Sequence, residues 1–478
     1  MNLNPKKLKG KRIEKFRLTG FNVDGFPMGK FRGFPILVRN GIPGEIVDIQ
    51  INLVREMFAE ATIEKIHQTS AYRQEPECDH FGVCGGCNWM HISYEYQLAQ
   101  KMDNILYSFT MKNNIVPEQS LPIIPCKELQ HYRNKAEYTF SANRWFQPDE
   151  PKIENPLERL ALGYHVPNWF EKVFDIQQCP IVLPIAERIR QFIRHLAIEN
   201  KISFYDFKTE RGLLKNLTVR VSGLNEVVVI IGFNNHEPFG ETQNFLMSTL
   251  WMNFPEIKSI FYTLQQDSKP IFEKLEYFPY KNAHPYFHED VDGYHFRIHA
   301  KSFFQTNLVQ TPILYKRIKE LSGLQGNEVL LDLYCGTGTI GIYLADGVSQ
   351  LIGMDHSATS IEDAVWNAQK NNISNASFYC GDIFEQLSGS FFNSLPAIDI
   401  IVIDPPRGGL KKGLIPLLLK LNAFKIVYIS CNPITQAWDI EQMLPSYRLT
   451  HMQAIDMFPN THHVENICIL EKNLDEVK

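Results

Sequence analysis

The reactive side chains of this sequence with the clearest pairing are a thiol and a carboxylate, Cys431 and Glu465. Cys431 sits in Ile429-Ser430-Cys431-Asn432-Pro433, at the end of a strand-like run and just ahead of a helix expected to start at Pro433. Amide donors at a helix start lower a thiol pKa and enlarge the thiolate fraction. The bland reading of Cys431 is a small apolar packing residue. Glu465 leads into the apolar run 467–470, and plain surface exposure is its bland reading. Together the two groups suit methylation of carbon 5 of uracil. That carbon is too weak a nucleophile to take a methyl from a sulfonium unaided. Addition of a thiolate at carbon 6 makes an enolate that can, and a base must then remove the carbon 5 proton before the sulfur leaves.

A methyl donor needs a site of its own. Leu331-Asp332-Leu333-Tyr334-Cys335-Gly336-Thr337-Gly338-Thr339-Ile340-Gly341 follows an apolar strand and opens a helix, and its glycines allow a sharp turn close to a ligand. Such loops also serve dinucleotides. The order here, D-x-x-C-G-x-G-x-x-G, differs from the nicotinamide pattern. The next strand ends at Asp355, 23 residues after Asp332, where an acid can accept from both ribose hydroxyls. Asp382, after the third strand, can face an adenine amino group. A lone strand-end Asp is more often a helix N-cap; three at successive strand ends favour a ligand site. The fourth strand ends in Asp404-Pro405-Pro406-Arg407-Gly408-Gly409. Enzymes that methylate exocyclic amines carry an aromatic residue after the prolines, and Arg407 stands there instead.

Four of the nine cysteines form a second constellation. Cys78, Cys84 and Cys87 are close together, and Cys179 follows 92 positions after Cys87. With small residues between them they can wrap an iron–sulfur cluster or a zinc ion, and spacing does not separate the two. The spacing differs from that of radical enzymes with an open iron, so a structural or RNA-orienting role is expected. Cys126, Cys335, Cys380 and Cys468 read as inert packing residues.

These groups are positioned by three expected units. Residues 1–70 hold short strand-like runs (34–38, 45–53, 58–66) broken by turns at Asp24-Gly25, Asn40-Gly41 and Pro43-Gly44, the pattern of a small OB-like β-barrel. Residues 71–300 read as a central α+β domain that carries the four cysteines, with a helix at 184–199. From 301 to 478 strands at 328–333, 351–355, 376–380, 398–404 and 425–430 alternate with helices, and two adjacent strands at 449–458 and 464–472 close the chain. That is a Rossmann-like α/β sheet with a terminal hairpin, the outline of a methyltransferase that binds S-adenosylmethionine.

Composition is that of an ordinary globular protein, with 44% hydrophobic and 21% charged residues and a net charge of −5. A globally basic surface is absent, although residues 1–17 hold seven cations against Glu14, either a solvated tail or a phosphate-attracting arm. No run approaches the ~20 apolar residues of a membrane span, and the first residues lack the apolar core of a secretory signal. A cytoplasmic protein without membrane or obligate protein partner is expected. Tyr132-Arg133-Asn134-Lys135 interleaves ring and charge as single-stranded RNA contacts do; a polar strand edge is the plainer reading.

Five motifs together resemble one family. Lys301-Ser302-Phe303-Phe304-Gln305-Thr306-Asn307, DLYCGTGT, DPPRGG, ISCNP and HHVE are similar to the RNA uracil-5 methyltransferases, most closely the branch that acts on 23S ribosomal RNA and holds an iron–sulfur cluster. The resemblance covers nearly the whole chain, and Gly41-Ile42-Pro43-Gly44-Glu45 adds a likeness to TRAM domains. It implies that Gln305, Tyr334, Gly336, Thr339, Asp355, Asp382 and Asp404 bind S-adenosylmethionine, and that Phe303 and Gln305 flank a base flipped out of 23S ribosomal RNA. It further implies that Cys431 and Glu465 are nucleophile and base, and that Cys78, Cys84, Cys87 and Cys179 hold a [4Fe–4S] cluster, zinc being the lesser alternative. Transfer RNA as substrate and a non-catalytic assembly factor are the competing readings. Thr339 stands where the family often has Asn, and Asn460 where it often has His.

Overall fold

A computed structural model describes residues 5–473, except 112–113, 148–149, 151–154, 168, 239, 267–274 and 282. The first unit is a six-stranded sheet of β1 (Arg12–Arg17), β2 (Gly20–Phe21), β3 (Pro27–Phe31), β4 (Phe34–Val38), β5 (Ile46–Val54) and β6 (Ala59–Gln68), in the order β1-β5-β6-β4-β3-β2. Its two outermost strands, β1 and β2, follow one another in the chain, so the sheet curls around a core that includes Phe16, Ile36, Val47 and Ile49. The basic segment is thus in part structure and not tail. Ile13 and Phe16 are buried, and Arg12 pairs with Asp48 (3.3 Å) and Glu64 (2.9 Å) across the sheet.

The central sheet combines β8 (Lys135–Ser141), β9 (Ala161–Val166), β10 (Trp169–Phe174), β11 (Leu214–Val221), β12 (Val227–Asn234), β13 (Ile257–Gln265) and β14 (Phe278–Pro279), in the order β10-β9-β8-β11-β12-β13-β14. Helices α2 (Pro184–Glu199) and α3 (Gly240–Asn253) pack against it. Helix α2 has the bounds expected from its apolar spacing, with Ile189, Ile193 and Ala197 on the buried face. A hairpin, β15 (Tyr286–Val291) and β16 (Tyr294–His299), leads into the third unit.

That unit is an eight-stranded sheet. Its members are β17 (Val329–Leu333), β18 (Gln350–Asp355), β19 (Ala376–Cys380), β20 (Ile400–Ile403), β21 (Lys425–Ser430), β22 (Tyr447–Ile455), β23 (Glu465–Lys472) and β7 (Gln119–Ile124). The order is β19-β18-β17-β20-β21-β23-β22-β7. Successive residues alternate between two cores: Leu330, Leu351, Ile400 and Val427 on one face, Leu331, Ile352, Ile401 and Ile426 on the other. Burial on both faces is why these strands read as unbroken apolar runs. Helices α4 (Thr311–Ser322), α5 (Thr339–Leu344), α6 (Ala358–Lys370), α7 (Ile383–Ser388), α8 (Leu414–Leu421) and α9 (Pro433–Met443) connect or flank the strands. Strand order reverses between β17 and β20, so their carboxyl ends open a crevice, the usual ligand position of such sheets.

Two elements from residues 94–124, inside the segment expected to form the central domain, complete this sheet instead. Strand β7 pairs in parallel with β22, and α1 (Tyr94–Thr110) packs on α9. Helix α1 also grips the loop between β22 and β23. Lys101 Nζ lies 2.6 Å from Asp456 Oδ1 and donates to the Phe458 carbonyl (3.1 Å), while the Tyr94 hydroxyl donates to Asp456 Oδ2 (2.9 Å). The side chains of Lys101 and Asp456 are both 0% exposed. Removing one partner from such a pair strands a charge in the interior. Lys101→Ala is expected to cost about 3–5 kcal/mol in urea unfolding, and replacing the pair together, Lys101→Met with Asp456→Leu, to return most of the loss. A single variant as stable as the parent would overturn this reading.

Candidate active site

The cofactor loop begins where β17 ends. Tyr334 (φ +62°) and Gly336 (φ +54°) both adopt left-handed backbone, which for Tyr334 is a strained conformation. The buried carboxylate of Asp332 accepts from the Gly341 amide (3.0 Å), and a Cβ at Gly341 would come within 2.7 Å of that oxygen, so glycine is required there. Asp355 supports the loop from the next strand, accepting from the amides of Gly336 (3.1 Å) and Ser357 (2.8 Å). Burial pushes the Asp332 carboxyl up to about 8.

A small cavity opens against this loop. Gln305, Tyr334, Gly336, Thr339 and Asp404 line it together with Asp332, and Phe303 and Phe304 stand at its wall. Five of the seven expected cofactor residues therefore converge. The carboxylate of Asp355 supports the loop without lining the cavity. Asp382 caps α7 through the Glu385 amide (3.1 Å) and pairs with Lys411 (3.1 Å), the capping use that strand-end acids commonly have. No motif marked Tyr315, a buried α4 residue whose hydroxyl donates to Thr339 Oγ1 (2.9 Å). Phe304 is buried, whereas Phe303 is 70% exposed and presents its ring at the surface.

Cys431 and Glu465 meet through sheet register. Strands β21 and β23 are antiparallel, and their last pair is Ser430 with Asn466. One step further the ladder sets Cys431 opposite Glu465, at the carboxyl end of β21. Asn432 caps α9 by accepting from the Ile434 amide (3.1 Å), and its Nδ2 donates to the Arg407 carbonyl (2.9 Å), which ties the DPPRGG loop to the thiol-bearing turn. The Arg407 guanidinium lies near enough to the thiol to favour its ionised form.

The electrostatics differ from expectation. Burial, with the charges of Glu465 and Asp404, pushes the Cys431 thiol up to about 11; Arg407 opposes this and does not overcome it. The helix start does not make Cys431 a resting thiolate. Glu465 is buried, not exposed, and burial followed by the nearby Asp404 carboxylate drives its pKa well above the usual carboxylate range. Burial also raises Asp404, to about 7. His462 and His463, whose ring centroids lie 4.0 Å apart at a tilt of 44° beside this group, are held neutral by burial, His462 down to about 4.

The loop that carries Glu465 is tied down from outside its own sheet. Asn460, at φ +66°, occupies a left-handed position that Asn tolerates well, which accounts for Asn in place of the more frequent His. Its carbonyl accepts from the amides of Asn88 (3.2 Å) and Trp89 (3.0 Å), and its amide donates to Gln97 Oε1 (2.9 Å). Asn88 Oδ1 accepts from the His462 amide (3.2 Å). Tyr132 and Asn134, read from sequence as RNA contacts, are buried: Tyr132 donates to the Pro459 carbonyl (2.9 Å) and Asn134 to the Gln305 carbonyl (3.1 Å). Their partners are too distant in sequence for composition to reveal them.

Cys78, Cys84, Cys87 and Cys179 come together beside this loop, close enough that their charges raise one another's pKa; burial is the largest cause, pushing Cys84 up to about 12. Among the described residues, no three His, Cys, Asp or Glu side chains close on a point that would hold one metal ion. Cys126, Cys335 and Cys468 are buried, as packing residues are; Cys380 is exposed, because β19 is the edge strand of its sheet.

Comparisons with known proteins agree with this geometry. The family model described as tRNA (Uracil-5-)-methyltransferase matches residues 289–473. An uncharacterized RNA methyltransferase of Bacteroides thetaiotaomicron is 36% identical over 453 residues, covering 94% of this chain and 99% of the relative. One of Porphyromonas gingivalis is 33% identical over 466 residues, covering 96% and 100%. The solved tRNA (uracil-54, C5)-methyltransferase of Pyrococcus abyssi, in complex with S-adenosyl-L-homocysteine, superposes with a TM-score of 0.72 at 26% identity, covering 96% of this chain and 99% of that one. Among the described residues no helix is long and apolar enough to cross a membrane. A sheet with its crevice at the strand-order reversal, a thiol facing a carboxylate and near full-length relatives lead to one assignment: the chain belongs to the RNA uracil-5 methyltransferases, enzymes that use S-adenosylmethionine.

Proposed function

We propose that this enzyme methylates carbon 5 of a specific uridine in 23S ribosomal RNA through a covalent adduct between Cys431 and carbon 6 of the base. The observation that carries the reading is the register of β21 and β23, which sets Cys431 against Glu465 beside the cavity. Gln305, Tyr334, Gly336, Thr339 and Asp404 contact the cofactor, with Asp355 and Asp382 as the ribose and adenine acids once their present partners yield. S-adenosylmethionine supplies an electrophilic methyl group there. The exposed ring of Phe303 offers a stacking face to a base flipped out of the RNA.

The resting thiol is protonated, so its proton must leave as sulfur bonds to carbon 6. Arg407, the cation nearby, stabilises the sulfur as charge develops. The electron pair displaced from the carbon 5–carbon 6 double bond makes carbon 5 the nucleophile that takes the methyl. Glu465 then removes the carbon 5 proton, those electrons restore the double bond, and the carbon–sulfur bond breaks. Burial and Asp404 make Glu465 a stronger base than a solvent-exposed carboxylate. Asp404 accepts charge near neutrality and is the nearest second carrier for the thiol's proton.

The first sheet, whose outermost strands β1 and β2 are consecutive in the chain, fits a TRAM or OB-like barrel (1–70) that holds RNA; a central domain (71–300) and the methyltransferase domain (301–478) follow, with α1 and β7 of the central segment lent to the methyltransferase sheet. Cys78, Cys84, Cys87 and Cys179 form an all-thiol donor set that could wrap a cluster or a zinc ion, and the family resemblance favours a [4Fe–4S] cluster. The cluster would tie the four-cysteine segment together covalently. A cytoplasmic setting follows from an RNA substrate. Transfer RNA is the second reading, favoured by the Pyrococcus abyssi neighbour. A non-catalytic assembly factor is set aside by membership in an enzyme family.

Purified enzyme incubated with 23S ribosomal RNA or transfer RNA, then mapped by mass spectrometry, is expected to place methyluridine in the former; modification of transfer RNA alone would select the second reading. Cys431→Ala is expected to bind the cofactor and leave both RNAs unmodified. Glu465→Gln is expected to trap a protein–RNA adduct on denaturing gels, and its absence would assign proton removal to another group. Protein purified without oxygen is expected to be brown with about four irons per chain; colourless protein with one zinc would replace the cluster.

A further inference from the structure

The active site is built from two loops: 303–307, which carries Phe303 and Gln305, and 456–464, which leads into Glu465; they touch through Asn307 Nδ2, which donates to the Met457 carbonyl (3.0 Å). A short piece of the central region touches both. The Tyr132 hydroxyl donates to the Pro459 carbonyl (2.9 Å). The Asn134 amide donates to the Thr306 carbonyl (3.0 Å), and its Nδ2 to the Gln305 carbonyl (3.1 Å). Both side chains are buried, Tyr132 at 1% and Asn134 at 7% exposure. Between them, Arg133 is braced from behind. Its amide donates to the Ile181 carbonyl (2.9 Å) and its carbonyl accepts from the Leu183 amide (3.2 Å), on the turn just after Cys179. The hairpin loop is held a second time by Asn88 and Trp89, immediately after Cys87.

We propose that Tyr132 and Asn134 are positioning residues for methyl transfer: they form a strut that fixes the gap between the Gln305 loop and the Glu465 hairpin. The strut rests on the turn after Cys179, and the hairpin loop is held again by the residues after Cys87, so the shape of the four-cysteine segment is read out as the width of the catalytic gap. This deepens the function proposed above and rests on it, since a gap matters only if a base enters between the two loops. The physical reason is that neither loop belongs to a regular ladder. The backbone carbonyls of Gln305, Thr306 and Pro459 lie outside the sheet ladders, and among the described residues their hydrogen bonds come from the strut's donors. Loss of one donor lets the corresponding loop move by a fraction of an ångström to an ångström, a displacement to which oriented reactions are sensitive.

Tyr132→Phe removes one hydroxyl at constant shape, and Asn134→Ala removes the side-chain donor while its backbone bond stays. Hydrogen–deuterium exchange on the full-length protein reads loop position independently of turnover. Tyr132→Phe is expected to quicken exchange in 456–464 about tenfold, the scale of one lost hydrogen bond, and Asn134→Ala in 303–307. Single-turnover methylation is expected to slow by between about tenfold and a hundredfold, with the RNA KM and the cofactor Kd changed little. Unchanged exchange in both loops would overturn the strut whatever the activity. Altered exchange with an unchanged single-turnover rate would overturn its role in methyl transfer. Wild-type protein that binds cofactor yet methylates no uridine would count against the proposed function, while the exchange data would still decide the strut.

Discussion

The antiparallel pairing of β21 with β23 is the constraint on which the rest depends. A thiol and a carboxylate 34 positions apart in sequence face one another because Ser430 pairs with Asn466 and the ladder runs out one residue later. The same register is the most vulnerable feature of the site, since a shift by one residue would turn both side chains to the opposite face. Burial protects it. Ile426, Leu470, Tyr428 and Cys468 belong to one core and Val427, Ile429, Ile467 and Ile469 to the other, so slippage would expose apolar surface on two sides at once.

Having brought acids and a thiol together out of water, the fold must tolerate their mutual repulsion. It does so by raising their pKa values, so that they are not all ionised together. Burial raises Cys431, Asp404 and Glu465, and Arg407 faces both the thiol and Glu465 as the opposing charge. Reactivity in such a site comes from the arrival of substrate and not from an ionised resting state, which distinguishes it from thiols activated by a helix start alone. The two neutral histidines beside Arg407 add no competing cation to this group.

Much of this was legible in the sequence, and the reasons are specific. Strands β17, β20 and β21 are apolar on both faces, and α2 carries its buried residues at helical spacing, so both patterns survive in one dimension. The cavity loop was legible because Tyr334 to Gly341 concentrates glycines where a strand meets a helix. Other parts were not. Strand β1 is dominated by charge, RIEKFR, and only two of its six residues are buried. Strand β7 contains Pro122 and no continuous apolar run. Tyr132 and Asn134 have the composition of an RNA contact, yet their partners lie 327 and 171 residues away. The raised thiol of Cys431 was hidden for the same reason, because burial and Glu465 act on it through the tertiary structure.

The placement of β7 has a consequence for how this protein evolves. The catalytic sheet ends on a strand encoded in the first third of the chain, and the hydrogen bond from Gln453 to the Pro122 carbonyl spans 331 residues. Strand β22 would otherwise be an open edge able to recruit a neighbouring molecule. The C-terminal half is therefore not a cassette that recombination could lift out and graft elsewhere. Cut away from the cysteine-bearing region, its sheet would lose β7 and bare the edge of β22.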